Sequence, residues 1–204
     1  MMKLHWSPRS PYVRKVMVCA HELQLLPRIK LVRSVAAMLQ PNVALMRDNP
    51  LSKIPTLVLG DGSTLFDSAV ICEYLDDLAG GTLFPANGPQ RWHALRWQAF
   101  GNGLLDGLIL WRNERERGDG HRSEPLMAAF DTKTQAALVQ LDKEAVQLAQ
   151  APFSIAHVTL MCALGYIDYR FATLGWRNAA PALAAWFALL QDRPSFALTV
   201  PTDG

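Results

Sequence analysis

The chain is expected to fold as two successive units, an α/β unit built on a small mixed sheet and then an all-helical unit. Three observations predict this. Strand-like and helix-like periods alternate over the first part of the chain. A Gly- and Pro-rich stretch, GGTLFPANGP at 80–89, follows. Beyond it only helical spacing is left. The corresponding boundaries are a first domain over 1–79, a linker over 80–88 and a second domain over 89–204.

Each element has its own local reason. KLHWS (3–7) is short and strand-like, and YVRKVMVCAHELQLL follows with Val13, Val16, Met17, Ala20, Leu23 and Leu26 at helical intervals, stopped by Pro27. Ser10 before Pro11 reads as an N-cap with proline at the first helical position, where its missing N–H costs nothing. RIKLVR (28–33) alternates like a strand, residues 34–49 carry no clear period, and TLVLG from 56, the turn DGS and TLF make a third and fourth strand. DSAVICEYLDDLA then starts a helix at Asp67–Ser68. Four later stretches have helical spacing throughout: 90–114, 124–150, 154–175 and 180–196.

Composition narrows the function classes. With 204 residues, 50% hydrophobic and 19% charged, the chain has material for one or two packed cores. A net charge of +2 argues against a dedicated nucleic-acid surface. The charge run RNERERGDGHRSE (112–124) mixes both signs and reads as a solvated loop. The start lacks the apolar core of a secretory signal, and no apolar run reaches the roughly 20 residues of a membrane span, so a cytoplasmic protein without a membrane partner is expected. Cys19, Cys72 and Cys162 are odd in number and far apart, as buried thiols are, with no spacing that suggests a disulfide framework or a metal site.

Four stretches together resemble the cytosolic, two-domain glutathione S-transferases: SPYVRKV after the first strand, NPLSKIPTL (49–57), LFDSAVICEYL (65–75) and SIAHVTLMCALGYID (154–168). The serine-type pattern is most similar to a little-described bacterial subgroup of that family. The resemblance implies a thioredoxin-like first domain that binds glutathione and an all-helical second domain lining the electrophile site. It also implies an enzyme with glutathione as co-substrate, no other cofactor and no metal, a small electrophilic second substrate, and a homodimer.

By carry-over, Lys53, Ile54, Pro55, Asp67 and Ser68 bind glutathione and Ser10 is catalytic. A cis Ile54–Pro55 bond, which the resemblance implies, would leave the Ile54 main chain to pair with the ligand's cysteinyl segment as an added strand; the residues alone also fit a trans proline on an edge strand. Ser68 at a helix start is placed to receive the γ-glutamyl carboxylate, and Asp67 the ligand's ammonium group; pattern alone fits an Asp/Ser cap equally. The Ser10 hydroxyl would donate to the glutathione sulfur, with Ser7 as the second choice. A thiol of pKa about 8.5 is roughly 3% ionised at pH 7, and lowering it by about two units raises the thiolate roughly 25-fold. The accompanying loss of nucleophilicity leaves a gain of only a few-fold, so most acceleration must come from positioning the electrophile.

Arg9, Tyr12, Trp111, Arg112 and Arg115 are the candidates for the second substrate, which the arginines would favour as an anion. Trp111 also fits an ordinary core residue. At the start of the 154–168 stretch, His157 stands where relatives place an aspartate, and a charged imidazole there faces the wrong pole of the helix. His157→Asp is therefore expected to stabilise by about 0.5–1 kcal/mol. Conjugation of glutathione to a small hydrophobic or anionic electrophile, with peroxide or disulfide reduction alongside, competes with a non-catalytic glutathione-binding or protein-interaction module.

Overall fold

The computed structural model describes residues 1–118 and 120–203. Strands β1 (Met2–Trp6), β2 (Ile29–Arg33), β3 (Thr56–Val58) and β4 (Thr64–Leu65) form one sheet in the order β2-β1-β3-β4. β1 and β2 are parallel, with Met2 opposite Ile29 and Trp6 opposite Arg33, so the chain must cross over between them; α1 (Pro11–Glu22) does so. β3 is antiparallel to β1 and to β4, with Leu57 opposite both Leu4 and Leu65. The β3–β4 turn uses Gly62 at φ 89°, a left-handed position that glycine takes without strain.

α3 (Ser68–Ala79) packs beside α1, and the core between these helices and the sheet holds Leu4, Val13, Val16, Leu57, Ile71 and Leu75, all buried. The unpatterned stretch before β3 contains one further turn of helix, α2 (Val43–Met46). Its signal is the Asn42 side chain, which accepts the Leu45 N–H at 3.1 Å.

The segment after α3 is tied down. The buried Asp76 carboxylate accepts the N–H groups of Thr82, Leu83 and Phe84 at 2.7–3.0 Å, and Leu83 and Phe84 are themselves buried.

Among the described residues there follow α4 (Gly88–Arg115), α5 (Glu124–Gln150), α6 (Ile155–Arg170), α7 (Trp176–Ala179) and α8 (Pro181–Gln191), before a last short helix near the C-terminus. α6 is buried from Ile155 through Ile167 and has no polar face, as expected of a central helix. Leu138, Leu141 and Leu148 of α5 are fully buried as well, and α5 packs on α8. α4 approaches α6 closely at Gly101, where a Cβ would stand 2.8 Å from the Thr159 methyl. Glu144 of α5 gathers Arg96 in a bidentate pair at 2.6 and 2.8 Å, Gln140 at 2.6 Å and the Trp97 indole N–H. These donors, Arg96 first, hold its carboxyl at about 2.

Three expectations need correction. The compact units are Met1–Ala94 with the C-terminal segment from Pro194, and Leu95–Arg193, rather than 1–79 and 89–204 divided by a linker. The reason is α9 (Pro194–Ala197) and the residues after it, which belong with α1: Arg14 donates to the Phe196 carbonyl at 3.2 Å and the Ser195 hydroxyl to Glu22. The charge run is no solvated loop at its start, because Arg112 to Arg115 close α4, and buried Glu114 accepts the Ser123 N–H at 2.7 Å; position 119 lies outside the described residues.

His157 is the third. It is 4% exposed, accepts the Ser154 N–H at Nδ1 (3.2 Å) and donates from Nε2 to the Leu148 carbonyl (3.0 Å). A neutral ring satisfies both partners, and burial pushes its pKa down, so the charged imidazole assumed from the sequence does not arise. His157 does the aspartate's work in the helix start and ties in Leu148 as well.

Candidate functional site

Sheet register assembles three of the predicted stretches. Thr56 stands opposite His5, so Ile54–Pro55 lies at the Trp6 end of β1, the end from which the chain runs on to Ser10. Extending the β3–β4 register from Leu57–Leu65 brings Asp67–Ser68 to that same end. Helices α1 and α3 therefore both begin at one edge of the sheet, each directing its uncommitted N–H groups and positive pole there.

Ser10 is the α1 N-cap. Its backbone is extended (φ −85°, ψ 119°), and Oγ accepts the Val13 N–H at 3.2 Å. That bond uses a lone pair and not the hydroxyl hydrogen, which has no acceptor among the described residues. Ser7 Oγ makes a long contact, 3.4 Å, from the Arg9 N–H.

The Ile54–Pro55 bond is cis. The turn before it is held by buried Asn49, whose amide donates to the Lys53 carbonyl at 3.2 Å and to Thr56 Oγ1 at 2.9 Å. The Ile54 N–H and C=O have no partner among the described residues. Lys53 is exposed, and its ammonium likewise has none.

At the start of α3, Asp67 is exposed and caps the helix by accepting the Ala69 N–H at 2.9 Å, through one carboxylate oxygen. Ser68 is buried, 2% exposed, and its N–H is uncommitted among the described residues. Its Oγ meets the Lys15 ammonium at 3.3 Å. Lys15 is missed by reasoning from periodicity because Arg14 and Lys15 together read as the polar face of α1, whereas both are buried.

The remaining candidates are distributed. Tyr12 is half-buried on α1. Arg9 is exposed and turns to the C-terminal segment, donating from Nε to the Asp203 carbonyl at 3.0 Å. In the second unit, Trp111 is buried with its ring 4.8 Å from Phe171, and its indole N–H has no partner among the described residues. Arg115 lies over the same Phe171 ring and donates to the Arg170 carbonyl at 2.9 Å. Arg112 donates to the Tyr166 hydroxyl at 3.4 Å and stands 3.5 Å from Glu116. Trp111, Arg112 and Arg115 thus meet residues of α6 and its C-terminal end, and burial pushes the Tyr166 phenol up.

One polar chain in the first unit has the residue types of a hydrolytic triad. His5 Nδ1 lies 2.8 Å from Ser34 Oγ and Nε2 lies 2.7 Å from Asp48, which Lys3 also meets at 2.7 Å. Ser34 is only 7% exposed and its hydroxyl turns to the Val32 carbonyl at 3.3 Å, so a substrate has no access to it. The chain braces β1 and β2 to the turn after α2, and Lys3 and His5 hold the Asp48 carboxyl below its ordinary range.

Among the described residues no cluster of His, Cys, Asp and Glu could hold a metal ion, and no helix is long and apolar enough to cross a membrane. Comparison with known proteins agrees with this arrangement of parts. The family described as glutathione S-transferase, N-terminal domain, matches residues 9–78, and the glutathione S-transferase, C-terminal domain, matches 124–189. A glutathione transferase family member from Pseudomonas fluorescens Pf-5, solved with bound glutathione, is 40% identical over 99% of this chain and 100% of that one, with a TM-score of 0.96. A second structure from that organism holds S-(propanoic acid)-glutathione at 39% identity, the same coverage and a TM-score of 0.92. The uncharacterized GST-like protein YibF of Escherichia coli K12 is 28% identical over 98% of both chains.

Proposed function

The chain belongs to the glutathione S-transferase family, and we propose that it transfers the thiolate of glutathione to a small electrophile. The observation that carries this reading is the Ser10 hydroxyl, committed as an acceptor to Val13 yet free to donate, at the sheet edge where the Ile54 main chain is open. In this reading the cysteinyl segment pairs with Ile54, the γ-glutamyl carboxylate takes the Ser68 N–H and hydroxyl, and Asp67 receives the ammonium group. Ser10 then donates to the sulfur, and the start of α1 adds positive potential, so the thiolate is favoured over the thiol.

The sulfur attacks the electrophilic carbon. Either a halide leaves with the bonding pair, or an activated C=C accepts it and is protonated at the neighbouring carbon. A carboxylate-bearing electrophile fits this reading, since a Pseudomonas fluorescens neighbour holds S-(propanoic acid)-glutathione. Reduction of peroxides or disulfides would use the same thiolate. A homodimer working in the cytoplasm on reactive small molecules completes the proposal.

Two substitutions at Ser10 test it. Ser10→Asp keeps an N-cap but replaces a donor with an anion. The thiol of bound glutathione, titrated by thiolate absorbance, should rise by about two pKa units, and turnover of a chlorinated nitrobenzene should fall about tenfold at neutral pH. Ser10→Ala should lower turnover about threefold or more with little change in glutathione affinity. Equal rates in wild type and Ser10→Ala would reduce Ser10 to its capping bond and favour a non-catalytic glutathione-binding module.

A further inference from the structure

Lys15 has no place in the reading above. It projects from the middle of α1, is completely buried, and donates to Ser68 Oγ across the α1–α3 interface. A buried ammonium is a costly choice where a methionine would pack, and its charge stands at the positive pole of α3, the end that favours anions. Neither helix needs it for its own formation: α1 is capped by Ser10 and α3 by Asp67.

The chemistry of the contact has one sense. An ammonium has donors and no acceptor, so Ser68 Oγ must accept from Lys15. Ser68 makes no other hydrogen bond among the described residues, so its own hydroxyl hydrogen is left for an acceptor outside the protein. A cation 3.3 Å behind the oxygen polarises that O–H and makes it a stronger donor. With the uncommitted Ser68 N–H, one residue then offers two donors to a single anionic group.

We propose that Lys15 is a positioning residue for a ligand carboxylate: by occupying the acceptor side of Ser68 from within the core, it turns that hydroxyl into an obligate donor. The proposal rests on the reading that the γ-glutamyl carboxylate of glutathione sits at Ser68.

Calorimetric titration with two ligands tests it: glutathione, and the analogue in which 4-aminobutyrate replaces the γ-glutamyl residue and so lacks its α-carboxylate. Wild type should prefer glutathione by tenfold or more. Lys15→Met should weaken glutathione binding about tenfold, leave the analogue unchanged and keep or raise the melting temperature. Lys15→Arg should recover most of the lost affinity, and in a Ser68→Ala background Lys15→Met should cost nothing further. Lys15→Gln, read the same way, supplies a second uncharged variant. If wild type discriminates and both uncharged variants discriminate equally well, or weaken both ligands alike, Lys15 is only a packing residue and the proposal falls. If wild type itself does not discriminate, the assignment of the carboxylate to Ser68 falls first and takes the proposal with it.

Discussion

Two serine-led helix starts, one in each unit, use the same residue type to opposite ends. At α1, Ser10 Oγ accepts one N–H and keeps its hydrogen unspent, and across the same sheet edge Ser68 keeps both its N–H and its hydroxyl hydrogen. At α6, the Ser154 N–H goes to His157 Nδ1, and His157 Nε2 goes to Leu148. Glu144, also in the second unit, is equally closed: its carboxylate takes donors from Arg96, Trp97 and Gln140. A polar group whose valences are all met inside the protein contributes stability. One left partly open at an edge is available to a ligand. The closed sites should therefore respond in melting and acid stability, and the open ones in ligand affinity and rate.

The largest response belongs to Glu144. Its carboxyl titrates at about 2 in the folded chain, against 4.5 ordinarily. As pH falls the unfolded chain takes up the proton first, so the stabilisation is complete above the ordinary value and disappears as pH drops toward 2. Allowing for screening at the half-exposed Arg96, it amounts to about 2–3 kcal/mol. Glu144→Gln should lose that much at neutral pH in denaturant unfolding and flatten the acid limb of the stability curve; an unaltered limb would show the cluster to be less closed than its geometry.

His157→Asp comes next, with the sign reversed from the expectation drawn from sequence. The carboxylate would strand the Leu148 carbonyl and bury a charge near the Phe153 and Trp186 rings, so the protein should lose about 1–3 kcal/mol and melt several degrees lower. A higher melting temperature would restore the simple capping account.

The smallest effect is at Asp67. Asn caps about as well as Asp, so Asp67→Asn should leave melting unchanged while glutathione affinity falls up to about fivefold, the range of an exposed ion pair. Unchanged affinity would move Asp67 to the closed class, beside Ser154.

Much of this is local and can be read along the chain. Ser10–Pro11 and Asp67–Ser68 mark helix starts because a cap involves residues only two or three apart, and both cap as read. The four strands and the helical second half follow from hydrophobic period, and the resemblance carried by four short stretches is enough for the family. α2 escaped because a single turn has no period, and the end of α4 because its charged residues resemble a loop.

What residue order alone determined, then, is where helices and strands begin and which of them carry apolar faces, since each choice is settled within a turn or a strand's length. Tertiary structure decided which polar groups are spent and which are left open. Lys15 reaches Ser68 across 53 positions, Arg14 reaches Phe196 across 182, and His157 finds Leu148 only because α5 ends beside the start of α6. Those pairings depend on packing distance and direction, which no window of sequence contains, and on the cost of leaving a buried donor or acceptor unmatched, which appears only once the core has closed around it.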